Sequence, residues 1–296
     1  MRSAAAILPD TRTRTLDFVA LAKPRLNMLV VASTLVGYAM ADGEPIGAVR
    51  IFGLLLGTGL VAGGASAFNQ VLERDLDALM RRTRTRPLPD QRLQPNEAVL
   101  FASVISMAGA LMIAAASNVL AAAVALSTLA IYVGVYTPLK RRSSLGTVVG
   151  AIPGALPPII GWAAASGELP TRAWVLFGVM FCWQLPHFLS IAWMYRDDYA
   201  RAGFRMLPVI EPDGRSTGRQ AIVYAAALVP LSLTPTLLHM TGDRYFIGAL
   251  VLGIAFLTLT LQFSRTRSIP AARRVFFGSI TYLPLLWLLM IADKLR

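Results

Sequence analysis

The sequence predicts an all-α, polytopic membrane protein, a bundle of about nine transmembrane helices. The first observation is composition: 55% of the residues are hydrophobic and 15% are charged, whereas soluble domains carry about a quarter charged residues. The second is that the apolar residues fall in runs close to the roughly 20 residues of one span. Backbone in hydrocarbon must satisfy its own hydrogen bonds, which favours helices over open strands. A soluble enzyme, a nucleic-acid-binding module and a disordered scaffold are therefore excluded.

Nine stretches, each long enough for one span, divide the chain in order. We predict them at residues 26–41, 51–69, 98–115, 120–136, 145–165, 174–194, 221–240, 245–263 and 275–291. Ser117 and Asn118 alone separate the third and fourth spans, and small residues with prolines interrupt the fifth at 150–162. We therefore expect one transmembrane domain over 26–293, after an N-terminal segment of residues 1–25 and before a short tail of residues 294–296.

The basic residues predict how the spans are oriented. An odd number of spans puts the termini on opposite sides, and 23 of the 28 Lys and Arg residues then lie on the side of the N-terminus. Cytoplasmic loops collect Lys and Arg, so we expect a cytoplasmic N-terminus and a C-terminus on the opposite side. The membrane that we expect is a bacterial inner membrane. The same rule explains the net charge of +12 without a nucleic-acid partner.

The second span is followed by a first acidic motif, which consists of Asn69, Glu73 and Asp77. If the helix of that span continues, these residues recur every four positions and line one face. Oxygen ligands in this arrangement suit Mg²⁺, which binds a few carboxylates together with water and substrate phosphate oxygens. Asp75 falls near the opposite face and is a more doubtful ligand. The alternative is a solvated, charge-balanced loop in which Glu73 and Asp77 pair with Arg74, Arg81 and Arg82.

Basic residues close to this motif predict that the ligand is a diphosphate. Four arginines lie within residues 81–86, and guanidinium groups bind phosphate in a bidentate manner. Lys23 precedes the first span and Lys140 follows the fourth, so both are expected to reach a diphosphate at the mouth of the bundle. Both could equally be positively charged anchors at the membrane boundary.

A second acidic motif, Asp197 and Asp198, follows the sixth span on the same side of the membrane. Two acidic motifs on one face can clamp a diphosphate between two metal ions. Because adjacent helical residues point about 100° apart, only one of the two is expected to face the substrate. His187 precedes Asp198 by three helical turns and would lie roughly 16 Å deeper on nearly the same face. A packed histidine is the alternative there.

Together these motifs resemble the UbiA superfamily of intramembrane prenyltransferases over nearly the whole chain. The resemblance rests on residues 23–25, 69–89, 136–141, 153–162 and 183–208. Residues 183–188, 198–199 and 202–209 are similar to the haem-farnesylating branch of the superfamily. Two positions depart from the broad superfamily pattern: Glu73 stands where an Asp is usual, and Ala202 stands four residues after Asp198, where a second Asp is usual. The second departure predicts a weaker second metal site.

The resemblance implies transfer of a farnesyl group from farnesyl diphosphate to a vinyl group of haem b, with Mg²⁺ as cofactor. It implies these catalytic residues: Asn69, Glu73, Asp77, Lys140 and Asp198. The implied metal ligands are Asn69, Glu73, Asp77, Asp198 and Asp197. The implied substrate-binding residues are Arg74, Arg82, Arg86, Lys23, Tyr136, His187 as a candidate iron ligand, Tyr199 and Arg196.

The implied surroundings are membrane lipid, with a downstream haem-modifying enzyme or a terminal oxidase as a conceivable protein partner. Two other functions stay open at this point. One is a prenyltransferase that acts on an aromatic quinone precursor, in which His187 would only pack. The other is a transporter, for which carboxylates near the middle of the membrane would be expected.

Overall fold

The computed structural model describes residues 11–43 and 47–295. The first ten residues of the predicted N-terminal segment, and Arg296 of the predicted tail, therefore lie outside the described residues. Within that part the chain is helical and contains no strand. The predicted all-α class is confirmed.

Fifteen α-helices are present in the described residues. In chain order they are α1 (Thr11–Ala22), α2 (Pro24–Met40), α3 (Ala48–Leu72), α4 (Arg74–Leu79), α5 (Pro95–Ala116), α6 (Val119–Ala130), α7 (Thr137–Arg142), α8 (Gly146–Ala155), α9 (Pro157–Ser166), α10 (Thr171–Met194), α11 (Arg196–Arg201), α12 (Leu207–Ile210), α13 (Arg215–Leu237), α14 (Asp243–Thr266) and α15 (Ile269–Ala292). A π-helical turn, Ile131–Tyr136, joins α6 to α7.

The nine predicted spans coincide with these helices. In the described part of the chain, eight helices or continuous helix runs are long and apolar enough to cross a membrane, and α1 with α2, bent by 42°, makes a ninth if the pair is one span. The fourth span comprises α6, the π-helical turn and α7, and the fifth comprises α8 and α9. The protein is an integral, multi-pass membrane protein.

Glycines allow neighbouring helices to touch through their backbones. A Cβ atom at Gly161 of α9 would lie 1.8 Å from the carbonyl oxygen of Thr34, and one at Gly37 of α2 would lie 1.9 Å from that of Pro158. In α3, a Cβ atom at Gly64 would lie 2.8 Å from the carbonyl oxygen of Ala102. Small residues permit such close approach in membranes, where helix association depends on close van der Waals packing.

Three spans have irregular backbone at the same end of the bundle. The chain leaves helical geometry at Glu73 (φ −104°, ψ 7°), between α3 and α4, and at Tyr195 (φ −112°, ψ 21°), between α10 and α11. The π-helical turn lies near the corresponding end of the fourth span. Non-helical backbone at membrane depth is tolerated where it lines a cavity or is buried in protein, so this end is where a site is expected.

Candidate active site

The first acidic motif forms a buried row of side chains. The exposed fractions are 4% for Asn69, 4% for Glu73 and 1% for Asp77. The helix of the second span does not continue unbroken through these residues, because α3 ends at Leu72 and α4 begins at Arg74. The backbone N–H of Glu73 still donates to the carbonyl of Asn69 (3.0 Å), and that of Asp77 to the carbonyl of Glu73 (2.7 Å). These bonds keep the three side chains on one face despite the break.

Basic residues neutralise both carboxylates of this motif. Nζ of Lys140 lies 2.6 Å from Oε1 of Glu73, and a guanidinium nitrogen of Arg86 lies 2.6 Å from Oδ2 of Asp77. The pair of Glu73 with Lys140 is buried or nearly so, with side-chain exposures of 11% for Lys140 and 5% for Glu73. The solvated, charge-balanced loop is not what the structure has: the carboxylates are buried, and their partners are Lys140 and Arg86 rather than Arg74, Arg81 and Arg82.

Lys23 joins this cluster from the break between α1 and α2. Its backbone is left-handed (φ 47°), a conformation that costs a residue with a side chain roughly 1–2 kcal/mol and is often retained at functional positions. The charges of Arg86, Lys140, Asp77 and Glu73 all act on its amine.

The second acidic motif turns only one carboxylate inward. The side chain of Asp198 is 12% exposed and pairs with Arg201, whereas that of Asp197 is 84% exposed and lies 3.8 Å from Arg196. That only one of the two faces the substrate stays a prediction, and the unequal exposure favours Asp198. The structure does not bring Asp197 to the site.

The loops that carry the two acidic motifs pack against each other. Met80, Ala202, Phe204 and Met206 form a buried apolar cluster, and Leu76 and Tyr199 pack on it. Lys140 joins the two loops, because its carbonyl accepts a hydrogen bond from the backbone N–H of Arg205 (3.2 Å) and its Nζ lies 5.2 Å from the ring centroid of Phe204. The two acidic motifs thus lie side by side at one end of the bundle.

The predicted metal ligands are not gathered into one cluster. Among the described residues, no group of three or more His, Cys, Asp or Glu side chains is placed to hold a metal ion. The donors Asn69, Glu73 and Asp77 nevertheless fit Mg²⁺, which needs only one or two protein carboxylates when water and phosphate supply the other ligands. The Glu73 carboxylate would exchange its ion pair with Lys140 for the metal.

An inner cavity of about 330 Å³ lies beside the cluster. Its lining consists of Leu26, Arg82, Tyr132, Tyr136, Thr147, Gly150, Gly154, Gln184, His187, Phe188, Ile191, Ala192, Tyr199 and Met206. Tyr136 connects the cavity to the charged cluster, since Nζ of Lys140 lies 5.0 Å from the centroid of its ring. Gly150 makes room for this ring, because a Cβ atom there would lie 2.5 Å from it.

An outer crevice of about 470 Å³ shares one wall with the inner cavity. Its lining consists of Arg25, Leu26, Leu29, Arg82, Trp183, His187, Ile191, Met194, Tyr195, Phe276, Ile280 and Pro284. His187 and Arg82 border both spaces. The guanidinium of Arg82 lies 5.2 Å from the ring centroid of Tyr195. The crevice is thus largely apolar, with two guanidinium groups and one imidazole.

Two predicted substrate-binding residues lie elsewhere. Arg74 hydrogen-bonds the exposed Asp75 and borders a separate polar groove. Arg196 packs over the ring of Trp193, 4.6 Å from its centroid. The exposure of Asp75 agrees with its predicted position opposite the first acidic motif.

Sequence reasoning missed four polar residues at the site. Thr137 accepts a hydrogen bond from the Asn69 amide (3.4 Å), Ser279 contacts His187, and Gln184 and Tyr132 line the inner cavity. Their common signal is a polar group within an apolar span, which marks a functional position by default when the group is ionisable. Ser279 and Thr137 carry only hydroxyls, so this signal was weak.

Comparisons with known proteins find similar sequences over nearly the whole chain. The model of the UbiA prenyltransferase family matches residues 30–285. The chain is 46% identical over 287 residues to the protoheme IX farnesyltransferase of Solibacter usitatus strain Ellin6076, and the match covers 94% of this chain and 98% of that protein.

Solved structures share the fold at low sequence identity. A structure of digeranylgeranylglyceryl phosphate synthase gives a TM-score of 0.79 at 16% identity, covering 95% of this chain and 98% of that one. A UbiA homologue from Archaeoglobus fulgidus bound to GPP and Mg²⁺ gives a TM-score of 0.66 at 17% identity, covering 93% and 99%.

Proposed function

Because the chain belongs to the UbiA prenyltransferase family, we propose that it transfers the farnesyl group of farnesyl diphosphate to a vinyl group of haem b, giving haem O and diphosphate. The observation that carries this proposal is the buried row of Asn69, Glu73 and Asp77 next to an apolar cavity. The whole-length similarity to protoheme IX farnesyltransferases supports haem b as the acceptor.

The charged cluster would bind the diphosphate. Asn69, Glu73 and Asp77 would hold Mg²⁺, which neutralises the diphosphate and makes it a better leaving group. The Archaeoglobus fulgidus homologue bound to GPP and Mg²⁺ supports this metal. Lys140 and Arg86 now neutralise Glu73 and Asp77, and they would turn to the phosphate oxygens when the metal takes over their carboxylates.

Lys23 and Asp198 would complete the diphosphate site from two further elements. The amine of Lys23 lies close enough to Glu73 and Asp77 for their charges to act on it. Asp198 would support a second metal ion, and that site would be weaker because Ala202 supplies no ligand four residues later. Asp197, Arg74 and Arg196 have no part in this proposal.

The inner cavity would receive the farnesyl chain and protect its cation. When the bond between C1 and the diphosphate oxygen breaks, the electron pair leaves with the diphosphate and an allylic cation remains. A cavity that excludes water prevents its premature capture. Tyr132 and Tyr136, whose ring centroids are 5.2 Å apart, would present aromatic faces that stabilise positive charge.

The outer crevice would receive the haem. Arg25 and Arg82 would bind its propionate groups, and the apolar lining would cover the ring. The vinyl π electrons attack C1 of the farnesyl group and form the new C–C bond, which leaves a cation on the carbon beside the porphyrin. Water adds there and loses a proton, giving the hydroxyethylfarnesyl group. His187, between crevice and cavity, would bind the haem iron.

The orientation follows the distribution of basic residues. We propose that the N-terminus and both acidic motifs face the cytoplasm of a bacterium, with the protein in the inner membrane and the C-terminus on the opposite side. Residues 26–293 would form one catalytic domain. Haem O would leave through lipid, or directly to a downstream haem-modifying enzyme or terminal oxidase.

Incubation of the purified protein with farnesyl diphosphate, haem b and Mg²⁺ tests the proposal. Mass spectrometry should detect haem O and a matching amount of released diphosphate, and chelation of the metal should abolish both. A parallel reaction with 4-hydroxybenzoate tests the alternative acceptor class. Prenylation of this aromatic acid without haem conversion would contradict the proposed acceptor and favour a quinone-precursor prenyltransferase.

A further inference from the structure

The imidazole of His187 is clamped by residues of two helices. Its ring stacks between Trp183 on its own helix, with centroids 5.2 Å apart, and Phe276 on α15, also at 5.2 Å. Its Nδ1 atom lies 2.7 Å from Oγ of Ser279. Ser279 is fully buried, and its carbonyl also accepts a hydrogen bond from Nε1 of Trp183 (2.8 Å). One serine therefore fixes two successive residues on one face of α10.

The hydrogen bonds of Ser279 determine which nitrogen of His187 carries the proton. Oγ of Ser279 lies 2.6 Å from the carbonyl oxygen of Phe276. A carbonyl can only accept, and a serine hydroxyl has one proton to donate, so the hydroxyl donates to Phe276. Oγ must then accept from His187, which places the ring proton on Nδ1.

The other ring nitrogen is consequently a free lone pair. No described residue hydrogen-bonds Nε2 of His187, and the residue borders both the outer crevice and the inner cavity. A neutral imidazole of this tautomer is a ligand for iron. Histidines that bind metals generally donate their second N–H to a neighbouring acceptor, which sets the tautomer and the ring orientation.

We infer that Ser279 is a positioning residue, which holds His187 so that its unprotonated Nε2 binds the iron of a haem in the outer crevice. This inference rests on the proposed function, because it takes haem b as the acceptor. It adds a residue with no direct contact to the substrate. The iron would be fixed relative to α10 and α15, and a vinyl group would thereby be fixed relative to the inner cavity.

The inference is tested by measuring the affinity for haem b of Ser279→Ala and of two matched variants, Ser279→Thr and Ser190→Ala. We expect Ser279→Ala to weaken the binding of haem b about tenfold, as loss of such a partner does at metal sites, and to change the optical and electron paramagnetic resonance signals of the ferric iron. Ser279→Thr keeps the hydroxyl and should restore both. The affinity for a farnesyl diphosphate analogue should stay unchanged in all of them.

Ser190→Ala is the matched control. Ser190 is equally buried and donates to the backbone carbonyl of the same histidine (2.7 Å), without contact to the ring nitrogens. The Ser190→Ala variant should bind haem with the wild-type affinity and spectrum. A wild-type spectrum and affinity in Ser279→Ala, or an equal loss in Ser190→Ala, would overturn the positioning role.

His187→Ala separates this inference from the proposed function. Loss of the iron signal in His187→Ala, with a wild-type signal in Ser279→Ala, would overturn the role of Ser279 while farnesyl transfer to haem stands. An unchanged iron signal in His187→Ala would overturn iron ligation itself. A wild-type protein that forms no haem O would overturn the proposed function and, with it, this inference.

Discussion

The two acidic motifs lie at nearly identical breaks in their helices but reach different environments. Glu73 and Tyr195 interrupt α3 and α10 with similar backbone angles, and a six-residue helix follows each of them. The first motif buries Asn69, Glu73 and Asp77 almost completely. The second buries only Asp198, and Asp197 points outward. Similar backbones therefore present a complete set of ligands in one case and a single carboxylate in the other.

The difference predicts which of the two motifs binds the main charge of the proposed reaction. A buried carboxylate is tolerated when a cation accompanies it, and the first motif has two such pairs, Glu73 with Lys140 and Asp77 with Arg86. In the proposed reaction a metal ion would take the place of these cations beside the carboxylates, and Lys140 and Arg86 would pair with the diphosphate instead. Asp198 has one partner, Arg201, on its own short helix. We expect the first motif to bind the metal tightly and the second to assist it.

The largest effect should come from Asp77→Asn. Loss of one charge from the principal metal site should lower kcat for haem O formation by about 100-fold or more, comparable to removing an electrostatic stabiliser of a transition state. Asp75→Asn is the matched control, because its carboxylate lies on the same short helix but is exposed. Product formation is measured by mass spectrometry. Wild-type turnover in Asp77→Asn would refute the metal site.

A smaller effect is expected from Asp198→Asn. A carboxylate that assists the diphosphate from the weaker side should change kcat by about tenfold, near the low end of losses caused by supporting residues at metal sites. Asp197→Asn should remain within about twofold of wild type, since surface substitutions change energies little. Initial rates at saturating Mg²⁺ distinguish the two. Equal losses in both variants would contradict the unequal roles of these neighbours.

The smallest effect should appear at the loop that follows the second motif. Gly203 has a left-handed backbone (φ 71°) with open space around its Cα atom, so Gly203→Ala should lower stability by about 1 kcal/mol through backbone strain. Gly134→Ala, which also has open space but an ordinary φ, should show no such loss. Thermal unfolding in detergent measures both. Equal unfolding midpoints for Gly203→Ala and Gly134→Ala would contradict the expected strain and show that the loop at Gly203 can relax.

The spans were predictable because hydropathy and length alone define them. The row of Asn69, Glu73 and Asp77 was also predictable from its spacing, even though the helix breaks at Glu73. The break at Glu73 was not predictable. The backbone hydrogen bonds from Glu73 to Asn69 and from Asp77 to Glu73 keep the four-residue spacing across it.

The partners of the buried carboxylates were not predictable from the sequence. Four arginines follow Asp77 within a few residues, and only the fold shows that Arg86 is its partner. Lys140 reaches Glu73 from a different span. The choice between Asp197 and Asp198 likewise depends on how α11 packs. Such contacts join residues distant in the chain, which local patterns do not encode.

A crystal structure with Mn²⁺ in place of Mg²⁺ and a non-hydrolysable farnesyl diphosphate analogue tests the central claim most directly. We expect an anomalous peak in contact with Glu73 and Asp77, the diphosphate between the first motif and Asp198, and the farnesyl chain in the inner cavity. A diphosphate bound away from Asp77, with Glu73 and Asp77 still paired to Lys140 and Arg86, would contradict the account.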